Sequence, residues 1–156
     1  MLTSRKRIII LISWTASILW MVIIFNLSSQ VAYESNKLSK GVTKIIVESV
    51  VKVVPEMDFD RSKFNHIVRK NAHFFAYLVL GVLVMYAMRR SGRKGIRGIV
   101  LILSMCVLYA ISDEVHQFFV PGRGPQAKDV FIDSAGAVVG ICMYRMISRI
   151  KKKVMT

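Results

Sequence analysis

Side chains able to do chemistry are concentrated in one stretch of the chain, residues 112–133, which reads SDEVHQFFVPGRGPQAKDVFID. A carboxylate beside an imidazole moves protons and fixes the imidazole tautomer, and a guanidinium clamps a phosphate group. A chain embedded in a bilayer seldom carries ionisable groups at this density without using them. The candidate residues in the stretch are Asp113, Glu114, His116, Gln117, Arg123, Asp129 and Asp133.

The first third of this stretch is predicted to complete a helix. Gly98 to Ile111 is too short to cross a membrane alone, whereas a helix from Gly98 to Val120 is long enough. On that helix Tyr109, Asp113 and His116 are spaced i, i+4, i+7 and share one face. Glu114 and Gln117 form a neighbouring pair. Pro121 to Lys128 is then a tight loop, which leaves Arg123 at the mouth of the site.

The last residues of the stretch are predicted to begin another helix. Asp129 and Asp133 are one turn apart, and their face continues as Gly136, Ala137 and Gly140. Small residues at this spacing mark a face on which another helix packs closely. Both carboxylates are therefore expected to point into a bundle.

A further candidate group lies earlier in the chain. His73, Tyr77 and Gly81 are spaced i, i+4, i+8 and share one helical face, with the histidine near one end of its apolar run. The histidine and Tyr77 are predicted to join the polar residues of the 112–133 stretch in one shallow site, in which Tyr109 also takes part.

Four apolar runs are predicted to hold this site as an all-α transmembrane four-helix bundle. The chain has 156 residues, of which 54% are hydrophobic, and a mean hydropathy of +0.48, which is too apolar for an ordinary soluble domain. The predicted crossings are residues 8–26, 72–88, 98–120 and 129–147. The segment 28–70 is expected outside, with an amphipathic surface helix at about 36–54 and a further helix that begins near Arg61 and runs into the second crossing.

The basic residues predict the orientation. They cluster at residues 5–7, 89–97 and 145–153, whereas all nine acidic residues lie in the two other polar segments. The positive-inside rule places such clusters in the cytoplasm, so both termini are expected inside a bacterial cytoplasmic membrane and the polar stretch outside. The net charge of +14 comes without a nucleic-acid-binding motif, so no nucleic-acid partner is expected.

Other classes of protein are disfavoured. The first run is longer than the apolar core of a signal peptide and lacks a cleavage site. A transporter would show an inverted repeat and polar groups at the midplane. Cys106 and Cys142 each lie within an apolar run, and they are expected to be small buried hydrophobic residues without a disulfide.

Residues 70–140 carry a resemblance to a known family. The pair of segments NAHFFAYLVLG and SDEVHQFFVPGRGPQAKDVFIDSAGAVVG is similar to the VanZ-like family of small bacterial membrane proteins. That family shows a His-Phe before a Tyr and Leu-Gly span, Asp-Glu-x-His-Gln, a Pro-Gly-Arg turn, and an Asp before a glycine-rich last helix. The resemblance implies a single VanZ-like domain over residues 1–156 and a cell-envelope role, with low-level resistance to the glycopeptide antibiotic teicoplanin.

Three functions remain open from the sequence. In the first, the outward-facing pocket binds an anionic lipid headgroup, a lipid-linked cell-wall precursor or a lipid-tailed glycopeptide. In the second, an enzyme modifies such a headgroup through His116 with Asp113 or Asp129. In the third, the polar network only locks the bundle. The cofactor stays unknown: a divalent metal ion is an alternative, but without HExxH or CxxC spacing no residue is assigned as a metal ligand.

Overall fold

The fold is described by a computed structural model that covers residues 4–30, 41, 44, 61–93, 95–122, 124 and 126–154. All but two residues of the predicted amphipathic helix at 36–54 lie outside these ranges. Arg123 also lies outside them, so its predicted place at the mouth of the site stays a prediction.

Four long helices make up nearly all of the described chain. They are α1 (Ser4–Ser28), α2 (Arg61–Arg90), α3 (Ile96–Phe118) and α4 (Ala127–Val154). Each contains a stretch long and apolar enough to cross a membrane, and no strand occurs among the described residues. The predicted all-α transmembrane bundle is confirmed, and the chain is a multi-pass membrane protein.

The helices extend beyond the apolar runs that predict them. The second helix begins at Arg61, as its sequence indicates, and continues without a break through the crossing. The fourth helix runs on to Val154 through a segment rich in Lys and Arg, which are good helix formers and interact favourably with the negative end of the helix dipole. Gly92 and Gly95, both with positive φ, form the turn between α2 and α3.

The closest helix pair is α2 with α4. A Cβ atom at Gly136 or Gly140 would overlap the backbone oxygen of Phe74 or Leu78, respectively, on α2. On the other side of the contact, a Cβ atom at Gly81 would lie 2.5 Å from the backbone oxygen of Ala137. The small-residue face predicted on the last helix is confirmed, and α2 is the helix that packs on it.

Apolar side chains lie both inside the bundle and on its outer surface. Tyr77, Leu80 and Ile102 are fully buried, whereas Leu108 and Phe131 are 66% and 75% exposed. Exposed apolar residues on every helix are what a lipid-facing surface requires. The prediction for the cysteines is right for Cys106, which is buried, and wrong for Cys142, which lies on the outer face of α4.

The two ends of the bundle differ in charge. At one end, here called the polar end, α1 and α3 finish and α4 begins, and the acidic residues of α3 and α4 gather. The opposite end, here called the arginine-rich end, contains a cavity of about 210 Å³. Four arginines on α2, α4 and the loop between α2 and α3 line this cavity: Arg89, Arg93, Arg145 and Arg149.

Candidate functional site

Three ionisable side chains from three helices meet at the polar end. His73 on α2, Asp113 on α3 and Asp133 on α4 each present one nitrogen or oxygen atom, and these atoms lie within 4.8 Å of one another. Nδ1 of His73 is 3.8 Å from Oδ1 of Asp133. We call these three residues the carboxylate–imidazole cluster.

The cluster is deeply buried. Asp133 is 0% exposed and Asp113 is 2% exposed, while the His73 side chain is 21% exposed. The close α2–α4 contact fixes this burial, since Asp133 lies one turn before Gly136 on the same face. The predicted inward direction of Asp133 is therefore confirmed.

Several buried oxygens of the site have no hydrogen-bond partner within the described part of the chain. They are both carboxylate oxygens of Asp133, Oδ1 of Asp113 and the hydroxyl of Tyr77. A buried polar atom without a partner costs about 1–3 kcal/mol in proteins, and more when it is charged. A network that only locked helices together would be expected to satisfy these atoms.

The second oxygen of Asp113 is held by its own helix. Nε2 of Gln117 donates a hydrogen bond to Oδ2 of Asp113 at 3.1 Å, in a buried position. The amide of Gln117 thereby orients the Asp113 carboxylate and leaves Oδ1 facing the cluster. The sequence pairs Gln117 with Glu114, but in the structure its partner is Asp113.

Two more carboxylates, those of Glu114 and Asp129, lie at the same end of the bundle. Glu114 has a partner in the loop between α3 and α4, and Asp129 has a partner on α2. Oε2 of Glu114 accepts a hydrogen bond from the backbone N–H of Gln126 at 2.8 Å, which ties the end of the loop to α3. Oδ1 of Asp129 lies 3.4 Å from Nζ of Lys70. Asp129 and Lys70 are partly exposed, so they form the rim of the site and the cluster forms its floor.

His116 lies apart from this arrangement. Its Nε2 is 3.0 Å from the hydroxyl of Ser29, and its ring lies 4.4 Å from the ring of Phe25, centroid to centroid. His116 thus connects α3 to the end of α1. The imidazole in the cluster is that of His73, which belongs to a different helix from the histidine that the sequence pairs with Asp113.

The two tyrosines extend the site toward the centre of the bundle. Their ring centroids are 6.0 Å apart. The hydroxyl of Tyr109 donates to the backbone oxygen of Met21 at 2.6 Å. The Tyr77 hydroxyl is buried one turn after His73 and has no hydrogen-bond partner among the described residues. Tyr77 is therefore a polar group of the cluster, and Tyr109 is an attachment point between α3 and α1.

Sequence reasoning missed Lys70, Ser29 and Gln126. The signal for Lys70 was its place one turn before His73, which puts both side chains on similar faces of α2. No sequence signal identifies Gln126, because it contributes only its backbone N–H.

Together these residues form an anionic floor with one imidazole and one phenol, below a rim that contains a lysine. The carboxylates of this floor can attract a cation, and its imidazole can exchange protons with a bound group. An anionic group would be repelled by the carboxylates unless a cation lay between it and them.

The fold and site define a polytopic helical membrane protein with a buried polar cluster at one end of its bundle. The profile of the family described as VanZ/LLP1 matches residues 13–148, which include all three cluster residues. The chain belongs to this VanZ/LLP1 family. No curated protein and no solved structure matches the chain.

Proposed function

We propose that this protein lies in the cytoplasmic membrane of a bacterium with both termini in the cytoplasm and its polar end outside. The support comes from the charges. The N-terminal basic residues, the loop between α2 and α3 and the end of α4 all lie at the arginine-rich end, and Lys and Arg accumulate on the cytoplasmic side. The carboxylates of α3 and α4 would then lie at the outer leaflet.

At the outer leaflet, the polar end is proposed to bind a lipid-tailed ligand: an anionic lipid headgroup, a lipid-linked cell-wall precursor or an acylated glycopeptide such as teicoplanin. One observation carries this proposal. Asp113 and Asp133 are buried at the end of a membrane bundle, and three of their oxygens accept no hydrogen bond from a described residue; the contact of Asp133 with His73 is 3.8 Å long, which is too long for a hydrogen bond. Buried groups left in this state mark a site that is completed by something else.

The surroundings of the cluster suit a ligand with a polar head and an apolar tail. Lys70 on the rim offers a cation to an anionic head. Phe118, Phe119 and Phe131 are 61%, 74% and 75% exposed beside the polar end, where an acyl tail would lie against them. Aromatic residues are favoured at this depth of a membrane.

A binding measurement tests the proposal directly. Protein in lipid nanodiscs is expected to bind teicoplanin, and the Arg123→Ala variant is expected to bind about 10- to 100-fold more weakly, because a hydrogen bond to a charged group contributes about 1.5–3 kcal/mol. Lys151→Ala removes a cation from the arginine-rich end and is the matched control. Equal affinity of wild type and Arg123→Ala, or equal loss in both variants, contradicts the proposal.

A cell-based measurement tests the link to resistance. Expression in a glycopeptide-susceptible bacterium is expected to raise the inhibitory concentration of teicoplanin and to leave that of a glycopeptide without an acyl tail unchanged. The Asp133→Asn variant is expected to lose the effect, whereas Asp129→Asn keeps most of it. An equal rise for both antibiotics would contradict recognition of the tail.

The second candidate is an enzyme that modifies a lipid-linked headgroup. It is favoured by the distance of 3.8 Å between His73 and Asp133 and by the buried Tyr77 beside them, since an imidazole held by a carboxylate serves as a general acid or base. Mass spectrometry of envelope lipids decides between the two. A lipid species that appears with wild type and not with His73→Gln favours the enzyme.

A further inference from the structure

We propose that His73, Asp113 and Asp133 bind a divalent transition-metal ion, either zinc or manganese. The inference rests on the proposed function for its biological meaning, because it concerns the same site. It differs from the expectation from sequence, which assigned no metal ligand.

The first support is geometric. One donor atom from each residue lies within 4.8 Å of the other two, and Nδ1 of His73 is already 3.8 Å from Oδ1 of Asp133. Donor atoms at about 2.0–2.2 Å from a common ion lie roughly 3–4 Å apart. The three side chains therefore reach an ion through small rotamer changes, without displacement of a helix.

The second support is the state of the donor atoms. Both oxygens of Asp133 and Oδ1 of Asp113 are buried and lack hydrogen-bond partners within the described residues. An ion held between them would satisfy these atoms. It would also neutralise two carboxylates that are otherwise costly at membrane depth.

The third support is the outer ring of contacts. Nε2 of Gln117 donates a hydrogen bond of 3.1 Å to Oδ2 of Asp113, the oxygen that is not proposed to bind the ion. Metal-binding carboxylates are commonly oriented by such hydrogen bonds. The buried Tyr77 hydroxyl is available beside the cluster for a water molecule bound to the ion.

The donor set indicates the class of ion. One imidazole nitrogen and two carboxylate oxygens suit zinc or manganese, whereas copper(I) prefers thiolates and thioethers. Three protein donors leave a coordination position open for water or for an oxygen of a phosphate or carboxylate group. A divalent ion would also explain how a floor with two carboxylates accepts an anionic headgroup, since the ion stands between them.

Metal content tests the inference with a control from the same helix. The full chain, purified without chelators, is incubated with Zn²⁺ or Mn²⁺ separately, desalted and measured by inductively coupled plasma mass spectrometry. Wild type is expected to retain about one equivalent of one ion, and Asp133→Asn and His73→Gln about tenfold less. Cys142→Ser removes a possible metal-binding thiol on the same helix that is exposed and lies outside the cluster, and it is expected to retain the wild-type amount.

A second measurement guards against loss of fold in the variants. Asp133→Asn is checked by circular dichroism and gel filtration, and Co²⁺ is added to each folded variant. Wild type and Cys142→Ser are expected to show visible Co²⁺ absorption from nitrogen and oxygen ligands, and Asp133→Asn and His73→Gln are expected to show none. Metal that is equal in folded wild type and Asp133→Asn, or absent from both, overturns the inference.

The outcomes separate this inference from the proposed function. Loss of the teicoplanin effect in Asp133→Asn, together with a metal-free wild type, overturns the metal site and leaves the binding function. One equivalent of metal in wild type, without any binding of a lipid-tailed ligand, supports the metal site and overturns the proposed function.

Discussion

Asp129 and Asp133 are one helical turn apart on α4, yet their surroundings differ. The Asp129 side chain is 17% exposed and is paired with Lys70 at 3.4 Å. Asp133 is 0% exposed and faces His73 and Asp113. One turn moves a residue about 5.4 Å along the helix, which is enough to pass from the rim to the interior. The two carboxylates therefore serve as test and control for each other.

His73 and His116 are also expected to differ in what they contribute to the teicoplanin effect. His73→Gln removes the imidazole of the carboxylate–imidazole cluster, so it should abolish the teicoplanin effect. His116→Gln removes the contacts to Ser29 and Phe25 and leaves the three cluster residues in place, so it should lower the stability by about 1 kcal/mol and keep most of the effect. The inhibitory concentration and the thermal midpoint of each purified variant check this.

Membrane levels of both variants, measured by immunoblot, control for expression. An effect that survives His73→Gln and disappears with His116→Gln would reverse the roles assigned to the two imidazoles.

The sequence could place Asp113 inside the bundle but could not choose its neighbour. At about 100° per residue, His116 lies roughly 60° to one side of Asp113 and Gln117 roughly 40° to the other. Both offsets are compatible with one face. Gln117 reaches Asp113 within the helix, as an i, i+4 pair, and the rotation of α3 against the other helices buries this pair and turns His116 toward α1.

At the scale of the helices, hydrogen bonds from side chains to the backbone attach α1 to its neighbours. Nε1 of Trp20 donates to the backbone oxygen of Ala76 on α2 at 2.8 Å, and the hydroxyl of Tyr109 on α3 donates to Met21. Lipid tails are as apolar as the helix surfaces, so burial of apolar area gives little drive for association and such bonds count for more. Ser13 and Ser17 on α1 are also buried.

Tyr109→Phe is expected to weaken the attachment of α1 to α3. The variant loses one hydrogen bond of 2.6 Å and keeps the ring, so the free energy of unfolding should fall by about 0.6–1.7 kcal/mol. Tyr86→Phe, at a partly buried position, is the control and should change it by less than about 0.5 kcal/mol. Reversible unfolding in detergent mixtures measures both, and equal effects would contradict the role of this bond.

Gly136→Ala is expected to disrupt the α2–α4 pair. The new Cβ would overlap the backbone oxygen of Phe74. Because this oxygen belongs to the backbone, the overlap can be relieved only if the two helices move apart. We expect a loss of about 1–3 kcal/mol, typical of overpacking, seen as a lower thermal midpoint.

Gly124→Ala places a Cβ in open space within the loop and is the matched control. A Gly136→Ala protein as stable as Gly124→Ala would mean that α2 and α4 are not in backbone contact in the membrane.

For the whole molecule, charge is expected to determine the orientation. If the arginine-rich end lies in the cytoplasm, as proposed, a fluorescent protein fused after Thr156 should fluoresce, and alkaline phosphatase fused at the same position should be inactive. The converse pattern is expected for fusions after Gly124. Active phosphatase at the C-terminus would contradict the proposed orientation.

The sequence predicts the architecture better than the site. A helix must satisfy its own backbone in lipid and must be about 20 residues long to cross it, so apolar runs predict the four crossings. The glycines of α4 predict a close neighbour, but not that α2 is this neighbour. The cluster depends on that choice, because His73 and Asp133 meet only where Gly136 and Gly140 let α2 approach.

The burial of the cluster affects how fast a bound ion can exchange with its surroundings. Asp133 and Asp113 are 0% and 2% exposed, and the two helices that carry His73 and Asp133 are held together at backbone distance. The partly exposed side chain of His73 marks the side from which a small ion can reach the cluster. On the opposite side, α3 can move aside more readily than α2 and α4 can separate, because its contacts with its neighbours are less extensive. We therefore expect slow but measurable exchange: an ion loaded into the folded protein should outlast several rounds of dialysis, and its release should become faster under conditions that loosen α3 from the other two helices.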